Sequence, residues 1–348
     1  MQRGKGWLAV LVIFFGFSIG PGKNSAFQTP KAETKKISIA FGQRQSGTLT
    51  EGESNSFAFA AAAGDRIIAR ISRSSGLLED RMELLGPDEK KLAESLSEGS
   101  ADLISDALPN AGTYTIRVSY ASGPGQGGYN LTLERLNGGS GRSISFGQTV
   151  SDKIGLGDLR TFTFSGTSAD RIVLRVIKTS DALNPEIRVY DPNGTQLSEA
   201  WSAAGTELAS DALPSTGIYT ILVCDHWGTN VGGFNLTLER LFPGGGTPIS
   251  YGQRVSGVLA AGDLDAYTIT AAAGSMIRVK VSQTAKTGIF YPQIRLYSPT
   301  GLKLQEEWAS SSIEFRTDAL PSAGSYMLLI SDYYGIYSGE YSLVIERL

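Results

Sequence analysis

The chain carries the stretch Asp211-Ala212-Leu213-Pro214-Ser215-Thr216-Gly217-Ile218-Tyr219, and closely similar stretches occupy residues 106–114 and 318–326. The three stretches lie 105 and 107 residues apart. This period exceeds the units of roughly 20 to 50 residues that build solenoids, and it matches the size of whole domains. The sequence of 348 residues therefore predicts three tandem domains of about 100 residues each.

Short motifs at the start and end of each copy set the domain boundaries. A Phe-Gly-Gln or Tyr-Gly-Gln triplet follows each start, and Glu-Arg-Leu closes each copy. After a polar tail at 27–36, we place copy 1 at residues 37–136, copy 2 at 142–241 and copy 3 at 247–348. The Gly-rich linkers 137–141 and 242–246 reach only about 12 Å as flexible coils. We therefore expect neighbouring copies to sit close together and to be free to swing.

A period of two runs through all three copies and indicates β-strands. In copy 2, Tyr219, Ile221 and Val223 form one alternating apolar set. Arg70, Arg175 and Arg278 fall on the opposite face of an equivalent strand in the three copies. Turn sequences such as Asp191-Pro192-Asn193-Gly194 separate the strands, and no helical period occurs. The pattern predicts an all-β chain of three antiparallel β-sandwiches.

The first 26 residues predict an export signal. They start with the basic residues Arg3 and Lys5, continue with an apolar run from Trp7 to Ile19, and end in small residues up to Ala26. The run is shorter than the roughly 20 residues that span a bilayer, so we expect cleavage and no membrane span afterwards. An uncleaved anchor is the alternative. The chain is therefore expected to be secreted or to lie in the cell envelope.

Composition excludes two other features. The chain after the signal carries 28 basic and 34 acidic residues, which is not the clustered basic surface that nucleic-acid binding requires. Cys224 is the only cysteine, so no disulfide can form within one chain. Each domain must therefore be held by its own hydrophobic core.

Several short motifs recur in copies 2 and 3. In copy 3 they are Gly262–Tyr267, Ile294–Gly301, Gly324–Tyr326 and Gly339–Tyr341. In copy 2 they are Gly157–Asp158, Val189–Gly194, Gly217–Tyr219 and Gly233–Phe234. This set resembles the bacterial pre-peptidase C-terminal domain, and the resemblance covers nearly all of the chain after the signal. Copy 1 departs most, at Gly52–Asn55 and Leu85–Asp88, where the acidic pair and the full turn are missing.

The resemblance implies a jelly-roll-like β-sandwich in a bacterial secreted protein. Domains of this family are usually appended to secreted proteases, where they are trimmed off or attach the enzyme to its substrate. Similar modules of secreted collagenases bind collagen, some of them with calcium. No protease domain accompanies the three copies in this sequence, so we expect them to act as binding or spacing units.

We do not expect enzymatic function. His226 is the only histidine, so a site with several histidine ligands cannot form. Cys224 and His226 are two residues apart on one strand and share a face, so a catalytic pair is geometrically feasible. Copy 3 nevertheless has Ser331 and Tyr333 at these positions, so the fold does not require the pair. Because Val223 belongs to the inward set, Cys224 should face outward as an exposed thiol.

The loop before the last strand of each copy is a candidate binding surface. It contains His226 and Trp227 in copy 2, and Tyr333 and Tyr334 in copy 3, with Tyr337 beyond. Exposed Tyr and Trp rings suit stacking on sugars or gripping a polypeptide. The competing interpretation is that these rings fold back over the ends of the sandwiches.

Other aromatic positions divide into two groups. An insertion in copy 3 adds Phe290 and Tyr291, which we expect to be exposed and to belong to the candidate binding surface. Trp201 and Trp308 stand where copy 1 has Leu96. An apolar position that accepts Leu or Trp is more typical of a core than of a binding surface, so we expect both tryptophans to be buried.

One pair of carboxylates raises the question of calcium. Asp263 and Asp265 could supply oxygen ligands to Ca²⁺, which needs about six to eight of them. Two carboxylates cannot complete such a site, and Arg160 in copy 2 would repel a cation. Capping of a turn is the competing interpretation, and no other cofactor is expected.

These features predict a secreted, non-enzymatic protein that binds an extracellular polysaccharide or protein polymer through the aromatic loops of copies 2 and 3. Weak sites in tandem gain avidity because the second binding event becomes intramolecular. Two alternatives stay open. One is a structural spacer or envelope component without a ligand, and the other is a non-catalytic partner of a separately encoded secreted protease.

Overall fold

The computed structural model describes residues 36–76, 79–122, 126–180, 182–284 and 290–348. The predicted signal peptide and nearly all of the polar tail lie outside these residues. Within them the regular elements are strands that form three β-sandwiches, which confirms the predicted all-β fold. This part of the chain has no helix that is long and apolar enough to cross a membrane.

Each copy contributes nine strands among the residues that the structure describes. Those of copy 1 are β1 (Lys36–Ser38), β2 (Gln43–Leu49), β3 (Ser54–Ala61), β4 (Ile67–Gly76), β5 (Glu79–Leu85), β6 (Lys91–Ser97), β7 (Ser100–Ile104), β8 (Gly112–Ser122) and β9 (Gly127–Arg135). Those of copy 2 are β10 (Arg142–Ser143), β11 (Gln148–Ile154), β12 (Leu159–Gly166), β13 (Arg171–Lys178), β14 (Pro185–Tyr190), β15 (Gln196–Trp201), β16 (Gly205–Ala209), β17 (Gly217–Asp225) and β18 (Gly232–Phe242). Those of copy 3 are β19 (Thr247–Pro248), β20 (Arg254–Leu259), β21 (Leu264–Ala271), β22 (Ile277–Gln283), β23 (Pro292–Tyr297), β24 (Lys303–Trp308), β25 (Ser312–Arg316), β26 (Gly324–Asp332) and β27 (Gly339–Arg347).

The strands of each copy form one five-stranded and one four-stranded sheet. The orders in copy 1 are β1-β3-β8-β5-β6 and β2-β9-β4-β7, and copies 2 and 3 repeat them. The pairs are antiparallel except at the short first strand, which runs parallel to the third, with Ile37 beside Phe57. The short first strand of each copy is thus the exception to the predicted antiparallel arrangement. The first and third strands are connected through the second strand, in the other sheet, so no hairpin forces them into opposite directions.

Each sandwich has its own hydrophobic core between its two sheets. In copy 2 the predicted inward residues of β17, Tyr219, Ile221 and Val223, are fully buried in one cluster. Equivalent residues form separate cores in copies 1 and 3. The alternation therefore predicted correctly which side of these strands faces inward.

The repeated stretch builds the same corner in every copy. The hydroxyl of Tyr219 donates a hydrogen bond to the carbonyl oxygen of Ser215 at 2.6 Å. The hydroxyls of Tyr114 and Tyr326 make the same bond, each to the residue four positions earlier, at 2.7 Å. The ring lies in the core while its hydroxyl satisfies a carbonyl of the preceding loop, as in the tyrosine corner of other β-sandwiches. The corner thereby ties the loop to the core.

The glycine of the repeated stretch is required because a proline of a neighbouring turn lies too close for a side chain. A Cβ added to Gly217 would lie 2.6 Å from Cγ of Pro192, which belongs to the hairpin turn between β14 and β15. The glycines of the other two copies face the corresponding prolines at 2.7 Å. This glycine therefore makes room for the proline of a neighbouring turn.

Buried apolar contacts join the copies. At joint 1, between copies 1 and 2, one buried cluster contains Ile68, Leu136, Leu159, Tyr190, Leu222 and Cys224. At joint 2, between copies 2 and 3, the cluster contains Val173, Leu241, Leu264, Tyr297, Met327 and Leu329. The expectation that the copies swing freely is wrong, because the outer face of one sandwich packs against the next beside each linker.

Two hydrogen bonds recur across both joints. At joint 1, Asn130 Nδ2 donates to the carbonyl oxygen of Leu156 at 3.0 Å. The hydroxyl of Thr132 donates to the carbonyl oxygen of Gly157 at 2.9 Å. At joint 2 the residues 105 positions later make the same bonds, at 2.7 and 2.9 Å. The two joints therefore share one geometry, in which the four-stranded sheet of one copy meets the five-stranded sheet of the next.

The two end faces of the array are charged where the joints are apolar. Arg278 of copy 3 occupies the position of Val173 at joint 2, and it pairs with Glu314 and Glu346. At the other end, Arg117 of copy 1 occupies the position that Leu222 has at joint 1. A polar outer face on a terminal repeat keeps a repeat array soluble.

Candidate functional site

The exposed rings of copy 2 form one cluster, the copy 2 aromatic surface, made of Trp201, His226 and Trp227. Trp201 ends the edge strand β15, and the other two lie in the loop after β17. The rings of Trp201 and His226 stack with centroids 3.9 Å apart and planes 8° apart, and Trp227 meets Trp201 edge-on at 5.8 Å. Because Trp201 is 46% and Trp227 is 57% exposed, this cluster faces solvent.

Copy 3 carries an equivalent cluster, the copy 3 aromatic surface, made of Trp308, Tyr333, Tyr334, Tyr337 and Tyr291. Trp308 stacks on Tyr333 at 4.3 Å and 15°, as Trp201 stacks on His226. Tyr334 meets Tyr333 and Tyr291 edge-on, each at 5.0 Å, and Tyr337 lies 5.5 Å from Tyr291. The structure thus brings the predicted loop tyrosines together on one exposed surface.

The prediction that Trp201 and Trp308 lie in the core is wrong. Ala200 packs against the core of copy 2, and successive residues of a strand point to opposite faces, so Trp201 points outward. The equivalent Leu96 in copy 1 is itself 62% exposed. The pattern of Leu and Trp identified an apolar position, but it did not show which face of the edge strand that position occupies.

The prediction that Phe290 is exposed is also wrong. Its ring is buried in the core of copy 3, with its centroid 6.4 Å from that of Tyr341. Leu183 holds the same place in the core of copy 2, and this equivalence was the signal that could have shown it. Tyr291, the next residue, points the other way and joins the copy 3 aromatic surface. Residues 285–289 of the insertion lie outside the described residues.

A buried aspartate holds each aromatic loop. The carboxylate of Asp225 accepts hydrogen bonds from the N–H of Asn184 at 2.9 Å and from two loop N–H groups at 3.1 Å. In copy 3, the carboxylate of Asp332 accepts from the N–H groups of Tyr291 at 2.9 Å and Tyr337 at 3.3 Å. Burial raises the pKa of Asp332, and the backbone donors oppose that rise. One carboxylate therefore fixes the backbone on which several rings stand.

An arginine of the preceding copy also reaches each aromatic loop. Across joint 1, Arg70 Nη1 donates to the carbonyl oxygen of Asp225 at 2.8 Å. Across joint 2, Arg175 Nη1 donates to the carbonyl oxygen of Asp332 at 3.3 Å. Both arginines are buried. Each aromatic surface therefore stands on a loop that two copies hold in place.

Carboxylates at the joints fix these arginines. Arg70 donates through Nε and Nη2 to Asp102 at 2.6 and 2.8 Å, and Asp102 also accepts from Arg188 of copy 2 at 2.8 Å. At joint 2 the same arrangement is formed by Arg175, Glu207 and Arg295. Burial by itself would raise the pKa of Asp102, but the two guanidinium groups outweigh it and hold the pKa below its usual range. The carboxylate thus stays ionised, and paired charge-assisted bonds orient the guanidinium groups.

Cys224 is buried, contrary to the expectation of an exposed thiol. It does point away from the core of its own sandwich, but copy 1 covers that outer face at joint 1. Burial raises the pKa of the thiol to about 12, whereas the reactive form is the thiolate. Glu186 accepts a weak hydrogen bond from Cys224 at 3.7 Å and contacts His226 Nδ1 at 3.2 Å. The carboxylate of Glu186 thus orients the imidazole beneath Trp201.

The two aspartates considered as calcium ligands make other hydrogen bonds. Asp263 Oδ2 accepts from the N–H of Ala260 at 2.8 Å and so caps the turn. Asp265 Oδ2 accepts from the hydroxyl of Tyr341 at 2.6 Å. Over the described ranges, no three His, Cys, Asp or Glu side chains are grouped so as to hold a metal ion. Calcium binding at this pair stays a prediction.

Comparison with solved structures finds two bacterial proteins that each match 29% of this chain. No protein-family model and no curated protein matches the chain. A periplasmic inhibitor of g-type lysozyme from Aeromonas hydrophila is 17% identical, with a TM-score of 0.25, over 29% of this chain and 96% of its own. The pre-peptidase C-terminal domain of a Bacillus anthracis collagenase is 19% identical, with a TM-score of 0.24, over the same shares of the two chains. A triple jelly-roll protein of an archaeal virus turret is 12% identical, with a TM-score of 0.18, over 88% of this chain and 90% of its own. At such low identities, these similarities say nothing about what the chain binds.

Proposed function

We propose that the chain is a secreted or envelope-located, non-enzymatic protein that attaches to an extracellular polymer through the aromatic surfaces of copies 2 and 3. The observation that carries this proposal is one exposed stacked pair that recurs in both copies, Trp201 on His226 and Trp308 on Tyr333. Clusters of exposed large rings on a soluble surface mark sites of interaction. Tyr and Trp suit this role because their rings are both apolar and capable of hydrogen bonding.

Copy 1 supports a binding role for the pairs over a structural one. At the same positions it has Leu96 and Ala121, and its sandwich has the same sheets and its own core. The fold therefore does not need an aromatic pair to close this end of the sandwich. The rings in copies 2 and 3 are better explained by contact with a ligand.

A second candidate function is that of a spacer. The buried clusters at both joints favour it, because they hold the three copies in a fixed arrangement without any ligand. A spacer, however, gives no role to the exposed tryptophans. The binding proposal accounts for both the joints and the rings.

The test is retention on insoluble matrices, namely cellulose, chitin and fibrillar collagen. Replacing Trp201, Trp227, Trp308 and Tyr333 with Ala should weaken retention by about tenfold or more, since aromatic side chains often dominate binding energy. The melting temperature should hardly change, because these side chains are exposed. Leu96→Ala, at the same position in copy 1, is the matched control and should leave retention intact. A wild-type protein that none of the three matrices retains would reject the binding proposal and favour the spacer.

A further inference from the structure

We infer that the two aromatic surfaces act together as one site for a single linear carbohydrate chain, and that Arg70 and Arg175 position them. This inference rests on the proposed binding function. It goes further because it names the class of ligand. It also proposes that an arginine of each preceding copy positions the aromatic loop of the next copy.

Both aromatic loops touch one short segment of copy 2. Asn184 donates its N–H to Asp225 at the base of the copy 2 loop. Ile177 lies against the copy 3 loop, since a Cβ added to Gly335 would be 2.6 Å from Ile177 Cδ1. Seven positions separate Ile177 from Asn184. A chain of that length spans at most about 25 Å, so the two contact points lie within that distance of each other and within reach of one extended polymer.

Joint 2 keeps this separation constant. Its buried cluster and the hydrogen bonds of Asn235 and Thr237 hold copy 3 against copy 2. Two weak subsites at a fixed distance bind one long ligand far more tightly than either does alone. A polymer with regularly repeated units fits such a pair.

The geometry of the stacked pairs favours a sugar. The ring behind each tryptophan covers one face of the indole and fixes its plane, while about half of the side chain stays exposed. The C–H face of a pyranose ring lies flat on an open indole, and its hydroxyls can bond to polar groups at the rim. In copy 3, Tyr334 meets the ring stacked behind Trp308 edge-on at 5.0 Å and adds a second exposed phenol to this surface. Protein partners more often place anchoring side chains in desolvated pockets.

Arg70 and Arg175 hold the backbone of the aromatic loops and do not belong to the exposed surfaces themselves. Each donates to the carbonyl of the aspartate directly before the stacked ring, Asp225 before His226 and Asp332 before Tyr333. Loss of this bond would free the backbone that carries the ring. Copy 3 offers a matched control, because Lys280 stands at the position of Arg175 and opposite Glu314 on the exposed end face.

The first test measures how affinity depends on ligand length. β-1,4-linked oligomers of N-acetylglucosamine and of glucose, from two to eight units, would be titrated against the full chain by tryptophan fluorescence. We expect affinity to rise on the order of 100-fold once an oligomer reaches both surfaces. Trp308→Ala should reduce the affinity for long oligomers to that for short ones. Affinity independent of length, no binding of either series, or binding of collagen alone would overturn the inference.

The second test is a crossed comparison of amide hydrogen exchange. Arg70→Met should speed exchange in residues 226–230 by about fivefold, the equivalent of one hydrogen bond, and leave 333–337 unchanged. Arg175→Met should do the reverse, and Lys280→Met should change neither loop. If either Met variant fails to fold, Arg175→Lys and Arg70→Lys keep the charge beside the carboxylate but cannot keep the paired geometry. Equal changes in both loops would overturn the positioning role. Crossed exchange effects without polymer retention would reject the binding function, and the carbohydrate site with it, but would leave the positioning role intact.

Discussion

Arg70 donates a hydrogen bond to the carbonyl oxygen of Asp225 at 2.8 Å, although the two residues are 155 positions apart in the chain. Arg175 and Asp332 repeat this relationship at joint 2 over 157 positions. Each pair connects the strand face of one copy to the aromatic loop of the next. The joints therefore do more than hold the copies together, because they also set the position of the exposed rings.

Tyr219→Ala should destabilise copy 2 by about 3 to 5 kcal/mol, the usual range for emptying an aromatic core site. The ring is fully buried, stacks on Phe164 at 5.2 Å, and bonds to Ser215 through its hydroxyl. Tyr219→Phe keeps the ring and should cost only about 1 kcal/mol, the worth of one hydrogen bond. Urea denaturation measures both values. The control is Ile218→Ala, at the neighbouring exposed residue. A Tyr219→Ala protein as stable as this control would contradict the conclusion that Tyr219 ties the loop to the core.

Val173→Arg should open joint 2. The substitution puts an arginine, the residue type that copy 3 has at this position as Arg278, into a buried cluster. An unpaired buried charge lowers the free energy of unfolding by about 3 kcal/mol or more. The reverse change at the end face, Arg278→Val, should leave the melting temperature nearly unchanged because the end face is not part of a joint. Calorimetry and sedimentation would follow both variants. A Val173→Arg protein with an intact joint would show that joint 2 is not held by its apolar cluster.

The joints should be more stable in mildly acidic solution than at neutral pH. Burial raises the pKa of Glu134 at joint 1 to about 7, against the opposing effects of Thr161 and Arg160, and burial raises that of Glu239 at joint 2 to about 7. The unfolded glutamate titrates near 4.5, so the folded chain binds more protons between these values. Stability is therefore greatest below the unfolded pKa and falls as the pH rises towards 7, by at most about 3 kcal/mol per carboxyl.

Glu134→Gln tests this pH dependence at joint 1. Melting temperatures measured between pH 4.5 and 7.5 should change less with pH in this variant than in the wild-type protein, because the amide does not ionise. Glu346→Gln is the control, since Glu346 holds the equivalent position on the exposed end face of copy 3. Equal pH dependence in wild type and Glu134→Gln would mean that this carboxyl does not titrate at the joint.

The thiol of Cys224 should be inert in the folded protein. Burial at joint 1 both blocks access and raises its pKa to about 12, so little thiolate forms. A disulfide reagent such as DTNB should label the thiol only after denaturation, or after Ile68→Asp has opened joint 1. Rapid labelling of the native wild-type protein would contradict the burial of this face.

The fold was largely predictable because its signals are local. Alternation along β17 assigned Tyr219 to the core, and the repeated stretch marked the three copies. The site was only partly predictable. His226, Trp227, Tyr291, Tyr333, Tyr334 and Tyr337 were proposed and do lie in the two clusters. Trp201, Trp308 and Phe290 were assigned to the wrong side, because an apolar residue near the end of a sandwich can close the core or stand on the surface.

The sequence by itself determined the number of copies, through a stretch repeated at intervals of 105 and 107 residues. It also determined the strand character and the inward face of each strand, since these depend on spacing within about ten residues. Tertiary structure alone decided what happens to the outward faces. Cys224 and Arg70 point away from their own cores, yet both are buried because a neighbouring copy covers them. Whether an outward face meets water depends on which sheets come together, and for Arg70 the covering contact comes from a residue 155 positions away.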